Sequence, residues 1–171
     1  MSTHDEPVSI RQGTPADADR VYEIFAAARA GMRYLPQLYT DDQVQWWVRE
    51  VMVPRSELWI AELDGRAVGF AALQQDWLHH LYVDPAAQGR GAGTALVEQV
   101  KRCRPHELNL HVFEPNTGAR RLYERHGFVS VSIRDGSQNE EGVPDAHYRW
   151  RPASGTVLTR LSAWVLRRNT R

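Results

Sequence analysis

The sequence QGRGAGTALV, Gln88 to Val97, sets glycines at 89, 91 and 93 and then runs straight into residues that favour a helix. Glycine costs backbone entropy in a regular element, so alternating glycines indicate that the backbone itself must come close to something. Immediately before them lies LHHLYVDP, an apolar strand-like run closed by Pro85. After them, Thr94, Ala95, Leu96, Val97, Val100 and Cys103 have helical spacing with few breakers, which puts Gly89 to Gly93 at a strand-to-helix turn. Free amides in the first turn of such a helix, with the positive end of its dipole, suit the oxygens of a phosphate. Spelling narrows the choice of loop. A Walker loop needs a lysine after Gly93 and there is none; a dinucleotide fingerprint starting at Gly91 wants a small third residue where Leu96 stands. An ordinary glycine-rich loop is the bland alternative.

What fits is Gln88-x-x-Gly91-x-Gly93, and here the sequence resembles the GNAT superfamily of N-acetyltransferases, whose coenzyme A loop is spelled Gln/Arg-x-x-Gly-x-Gly/Ala after a strand. The flanks agree. LYVDPAAQGRGAGTAL is similar to the strand, proline and loop of that family. NLHVFEPNTGARRLYERHGF is similar to the following strand, the Asn-initiated helix and the Leu-Tyr-Glu-x-x-Gly-Phe ending. Order and spacing match from Leu58 to about Val131.

The resemblance implies an acetyl-CoA-dependent N-acetyltransferase that joins acetyl-CoA and the primary amine of a small molecule or peptide in a ternary complex, by direct attack. It places the pyrophosphate on the backbone from Gln88 through Gly89, Arg90, Gly91, Ala92 and Gly93 to Thr94. It aligns the pantetheine with backbone groups of Leu81 and Val83, one of whose amides would polarise the thioester carbonyl, and sets Asn116, Ala119 and Tyr123 beside the coenzyme. Arg90 is either a phosphate partner or a solvated arginine. Tyr123 falls where the family keeps the acid that protonates the leaving sulfur, a role that suits a phenol uncharged at neutral pH. The spacing of Ala119, Leu122, Tyr123 and His126 is also that of a helical core stripe. Asn116 is expected both to cap its helix and to bond the pantetheine arm.

The general base is open. Relatives keep a carboxylate early on the strand before the loop, where this chain has Trp77. Nearby stand Asp76, His79 and His80; strict alternation groups His79 with Trp77, Leu81 and Val83, and His80 on the other face. Histidine suits deprotonation near neutral pH, so His79 is the first candidate and Glu62 the reserve. By the resemblance the acceptor is walled by RYLPQLYT and the following helix: Tyr34, Tyr39 and Trp46, with Trp47, Asp41 and Asp42, offer stacking and charge to a cationic or aromatic amine. Packing is the competing role for these rings. A coenzyme-binding regulatory domain without catalysis is the alternative function.

Composition is compatible. The chain of 171 residues is 42% apolar with formal charge zero, enough for one domain and no case for electrostatic capture of nucleic acid or a membrane surface. One cysteine excludes an internal disulfide, and at apolar spacing with Leu96 and Val100 Cys103 reads as packing rather than nucleophile. No segment has the length and apolarity of a membrane span or secretory signal, so a cytoplasmic location is expected. No ligand spacing suggests a metal.

From end to end the pattern is strand, two helices, three strands, helix, strand, helix, two strands. This is an α/β fold of the α+β mixed-sheet kind, mostly antiparallel, with helices on both faces. Thr14 with Asp17 and Thr40 with Gln43 start the first two helices, and Asp64-Gly65 forms a tight hairpin. The domain is expected over 1–152. Residues 153–171 form a basic extension whose Val157, Leu158, Leu161, Trp164 and Val165 make an apolar helical face, to be covered by its own domain or by a second copy in a homodimer.

Overall fold

The computed structural model describes residues 7–153. The extension from 154 onward, and with it the expected apolar helix and any homodimer contact it makes, lies outside the described residues. The elements run β1 (Ser9–Gln12), α1 (Ala18–Ala30), α2 (Asp41–Trp47), β2 (Glu57–Leu63), β3 (Arg66–Gln74), β4 (Trp77–Val83), α3 (Ala92–Cys103), β5 (Leu108–Phe113), α4 (Thr117–Arg125), β6 (Val129–Arg134) and β7 (Asp145–Trp150). The strands form one sheet in the order β1-β2-β3-β4-β5-β7-β6. Every pairing is antiparallel except β4 with β5.

Local chemistry explains the turns. Asp64 (φ 51°) and Gly65 (φ 70°) both take the left-handed region that a two-residue hairpin requires, and Leu63 pairs directly with Arg66. Thr40 caps α2: its Oγ1 accepts from the Gln43 amide at 3.3 Å, and Gln43 Oε1 accepts from the Thr40 amide at 2.9 Å. Pro54 has no amide to continue the ladder, and its ring crowds the carbonyl one turn back. The helix accordingly widens into a π-helical segment, Val48–Met52, before a last turn, Val53–Arg55. Across this segment Val48, Met52 and Val53 are buried, while Val51 is only half-buried.

The sheet carries a core on each face. On one side Leu96, Val97 and Val100 of α3 pack with Tyr123 and Phe128 over Ala71, Leu73, Leu110 and Tyr148. On the other, Val21, Ile24 and Phe25 of α1 join Val48 and Met52 over Ile60, Phe70 and Ala72. Each such aliphatic side chain contributes about 1.5–3 kcal/mol when fully buried. Together the two cores clamp β2, β3 and β4 into a rigid floor whose open edge is β4.

Candidate active site

That edge is the centre of the site. β4 and β5 pair only through Trp77 with Asn109 and Leu78 with Leu110, and then part. The cause lies in β4 itself. Opposite β3, Leu73 pairs with Leu78 and Ala72 with His80, so His79 is an inserted residue in a β-bulge, which bends and twists the strand that carries it. Past Leu78 the edge of β4 that faces β5 has no strand beside it. A cleft of about 200 Å³ opens there, lined by His79, Leu81 and Tyr82 from β4, His111 and Phe113 from β5, and Asn116, Ala119 and Tyr123 from α4 and its cap.

The bulge corrects the alternation expected from sequence. Leu78, Leu81 and Val83 all pack with the α3 core, whereas Trp77 lies on the other face, its ring 5.1 Å from His147 and 4.9 Å from His111. Two-residue alternation cannot hold across an inserted residue. His79 nevertheless faces the cleft, and partial burial lowers its pKa below the usual histidine value. His80 points to the α1 side, its ring 5.4 Å from Trp47 and 6.1 Å from Phe25, and burial, with His79 and Arg29 adding, pushes its pKa down to about 4. His111 was not singled out in the sequence. It lines the same cleft across from His79, and burial lowers its pKa too, with Arg134 next in effect.

Tyr123 is buried, its ring 5.5 Å from Phe128 and its phenol held protonated by burial first and by Tyr82 second. It thus both packs in the core and lines the cleft. Asn116 Oδ1 caps α4 by accepting from the Ala119 amide at 3.1 Å. Glu62 is not brought to the cleft; its Oε1 accepts from Arg11 Nε at 2.7 Å between β1 and β2. Cys103 accepts from Gln99 Nε2 at 3.5 Å, and burial raises its thiol pKa, which suits packing rather than nucleophilic attack.

At the top of β4 the chain turns through Pro85–Ala87, with Asp84 accepting from the Ala86 amide at 3.0 Å, and enters α3. Gly89 (φ 78°) and Gly91 (φ 89°) hold conformations that side chains resist, and Gly91 is the residue before α3. The first helical bond runs from the Ala95 amide to the Gly91 carbonyl at 3.0 Å, so the amides of Ala92, Gly93 and Thr94 precede the ladder at the positive end of α3. A Cβ on Gly93 would lie 3.3 Å from Leu122 of α4, so glycine there leaves room for that side chain against the start of α3. Gln88 and Gly89 are exposed beside this turn. Arg90 lies 3.6 Å from Asp64.

Beside the cleft lies a larger hollow of about 670 Å³ between α1, α2 and the β6–β7 loop, with Trp46, Trp47, Phe25 and Tyr39 in its walls. Arg29, His80 and Glu141 border both spaces. Trp46 is 62% exposed and Tyr39 50%. Tyr39 donates to Glu140, and Arg29 Nη2 donates to Glu141 at 3.0 Å. Tyr34 stands behind the cleft: its ring meets Phe113 edge-on at 6.1 Å, and its buried hydroxyl has no partner among the described residues. Among the described residues no group of three His, Cys, Asp or Glu is placed to hold a metal ion, and no helix is long and apolar enough to cross a membrane.

Comparison with known proteins agrees with this geometry. The sequence pattern of the Acetyltransferase (GNAT) family matches residues 18–128. The chain is 34% identical to the peptidyl-lysine N-acetyltransferase YiaC of Escherichia coli over 143 residues, covering 82% of this chain and 95% of that one. It is 32% identical to the N-alpha-acetyltransferase RimI of Mycobacterium tuberculosis over 147 residues, covering 78% and 86%. In fold it is similar to yncA from Salmonella typhimurium, a structure with its cofactor acetyl-CoA, at a TM-score of 0.67 and 18% identity over 88% of this chain and 97% of that one. A glycine turn opening a helix, a sheet that parts beside it and this pattern across most of the chain have one reading: the protein belongs to the GNAT family of acetyltransferases.

Proposed function

We propose that the protein transfers the acetyl group of acetyl-CoA to a primary amine by direct attack in a ternary complex. The observation that carries this is the meeting of His79, Tyr123, Asn116 and Leu81 in one cleft, in a chain of an acetyltransferase family. Acetyl-CoA enters as a substrate. Its pyrophosphate lies on the amides from Gln88 to Thr94, where Gly89 and Gly91 bring the backbone close and α3 supplies its dipole. Its pantetheine follows the open edge of β4 along Leu81 and Val83, past Asn116 and Ala119, and a β4 amide polarises the carbonyl.

The amine arrives as an ammonium and must lose a proton before its lone pair can attack. His79 takes that proton; its lowered pKa keeps the ring neutral near pH 7. Nitrogen then bonds to the thioester carbon, the tetrahedral adduct collapses, and the carbon–sulfur bond breaks. Tyr123 gives its proton to the departing thiolate, and the second proton, shed by the nitrogen as the amide forms, restores the phenol, directly or through solvent. Burial suits it to that task, because a phenol that resists ionisation arrives at the step protonated. Tyr34, Tyr39 and Trp46 serve the acceptor side, the last two from the hollow itself and Tyr34 by supporting Phe113. Relatives named for peptidyl-lysine and N-alpha acetylation support an amine acceptor. The regulatory-domain alternative has no such support among them.

The test is release of free coenzyme A thiol from acetyl-CoA across a panel of amines and short peptides. Amine-dependent release with an acetylated product supports the proposal. Tight acetyl-CoA binding with no release for any acceptor would return the reading to a coenzyme-binding domain.

A further inference from the structure

The hollow beside the cleft is unevenly charged. Its lining carries Asp42, Glu140 and Glu141 against one guanidinium, that of Arg29. Arg29 is already committed to Glu141 at 3.0 Å, and its guanidinium also lies 5.3 Å above the Phe25 ring. Glu140 accepts from the neutral Tyr39 hydroxyl, a bond that leaves its charge in place. The chain as a whole is formally neutral, so this concentration is local. Over the same space stand Trp46 and Tyr39, the one 62% and the other 50% exposed, rings whose faces attract cations.

Such a site is wrong for the nitrogen that reacts. A carboxylate beside an amine stabilises the ammonium and raises its pKa, which opposes the loss of the proton. Of the carboxylates in the hollow, only Glu141 also borders the cleft, where Arg29 offsets it, while Asp42 and Glu140 stay outside. Taking the acetyltransferase reading as its basis, we infer that the acceptor carries a second positive charge, one that stays in place through the reaction, which the hollow binds between Trp46 and Tyr39 and the carboxylates of Asp42 and Glu140 while its reactive amine reaches the cleft. The substrate class is then a dication: a free diamine, or an amine on a peptide with a basic side chain next to it.

Matched acceptors test this on the whole chain. One arm compares 1,5-diaminopentane with pentylamine; the other compares alanyl-arginine amide with alanyl-norleucine amide. The dicationic member of at least one pair is expected to show kcat/KM about five- to tenfold higher at low salt. The pair that responds identifies the source. The preference should shrink toward parity in about 0.5 M NaCl and in the Asp42→Asn, Glu140→Gln double variant. Parity in both arms at low salt, or a preference that survives the double substitution, overturns the inference. Calorimetry with hexamethonium, a bis-quaternary cation that cannot be acetylated, separates this failure from that of the acetyltransferase reading. If no acceptor turns over but hexamethonium binds and the double variant loses that binding, the cation site stands and the acetyltransferase reading falls; no hexamethonium binding to the wild type overturns the site.

Discussion

Replacing His80 with glutamine should remove a specific piece of the protein's acid sensitivity. In the folded chain the ring lies against Phe25, Trp47 and Tyr82, and its pKa falls from the ordinary 6.5 to about 4. Unfolding exposes it to water and restores the ordinary value. Between those limits the unfolded chain takes up a proton that the folded chain refuses, so stability is complete above 6.5 and drains away as pH falls toward 4. A shift of that size corresponds to about 3 kcal/mol, and since the ring is only partly covered, about 2 kcal/mol is the expected loss between about pH 7.5 and about pH 4.5. The assay is urea unfolding of the wild type and His80→Gln at several pH values across that range, the packing loss in the variant cancelling because it is present at every pH. The wild-type advantage over the variant should therefore shrink by about 2 kcal/mol as pH falls. An advantage that stays constant to within a few tenths of a kcal/mol would show that His80 titrates normally in the fold and that its packing against α1 and α2 is looser than described.

Gly91→Glu should abolish acetyl-CoA binding in calorimetry, because a side chain at φ 89° distorts the start of α3 and its carboxylate repels the pyrophosphate. Tyr123→Phe should lower kcat by about a hundredfold or more with little change in acetyl-CoA affinity, as removal of a general acid does; equal losses in both would mark a packing role. For the wild type, kcat/KM should rise with pH through an inflection below 6.5 and be flat by neutrality, and His79→Ala should lose that inflection; a profile of unchanged shape would point to the other cleft imidazole, His111. Gly136→Ala should destabilise the fold by about 2 kcal/mol or more, since glycine alone accepts its φ of 92° and a Cβ there would stand 2.6 Å from the Gly142 carbonyl carbon. In that variant the acceptor KM should rise more than the acetyl-CoA KM, because the displaced loop carries Glu140 and Glu141.

Signals confined to a few neighbouring residues were legible. Asp64-Gly65 demanded two left-handed residues and has them; Thr40 and Gln43 bond each other as their spacing required; Gly91 stands at the start of α3. The two motifs downstream of Leu78 located the cleft through the family they resemble. What stayed hidden depends on chain that is distant or irregular. Nothing in LHHLYV marks His79 as an inserted residue, because a bulge is set by the register of β3 against β4 rather than by the bulged side chain. Around the π-helical widening before Pro54, Val48 and Val53 are buried in one core, a spacing that a regular 3.6-residue period does not announce. Glu141 meets Arg29 across 112 positions of sequence, and no local pattern announces such a pair.

The brief pairing of β4 with β5 has a mechanical meaning. The strands on either side of this seam are stitched by six residue pairs each, β3 with β4 and β5 with β7, while the seam itself holds two. Under load or thermal agitation a laminate yields along its weakest join, so deformation concentrates between two stiff plates, β1 to β4 and β5 to β7. A small swing about this seam would leave the ladders inside each plate intact, and its cost would fall on the α3 core that spans both. Compliance along this seam would serve the role proposed for it, since a long, thin pantetheine laid against β4 has to be admitted and released there.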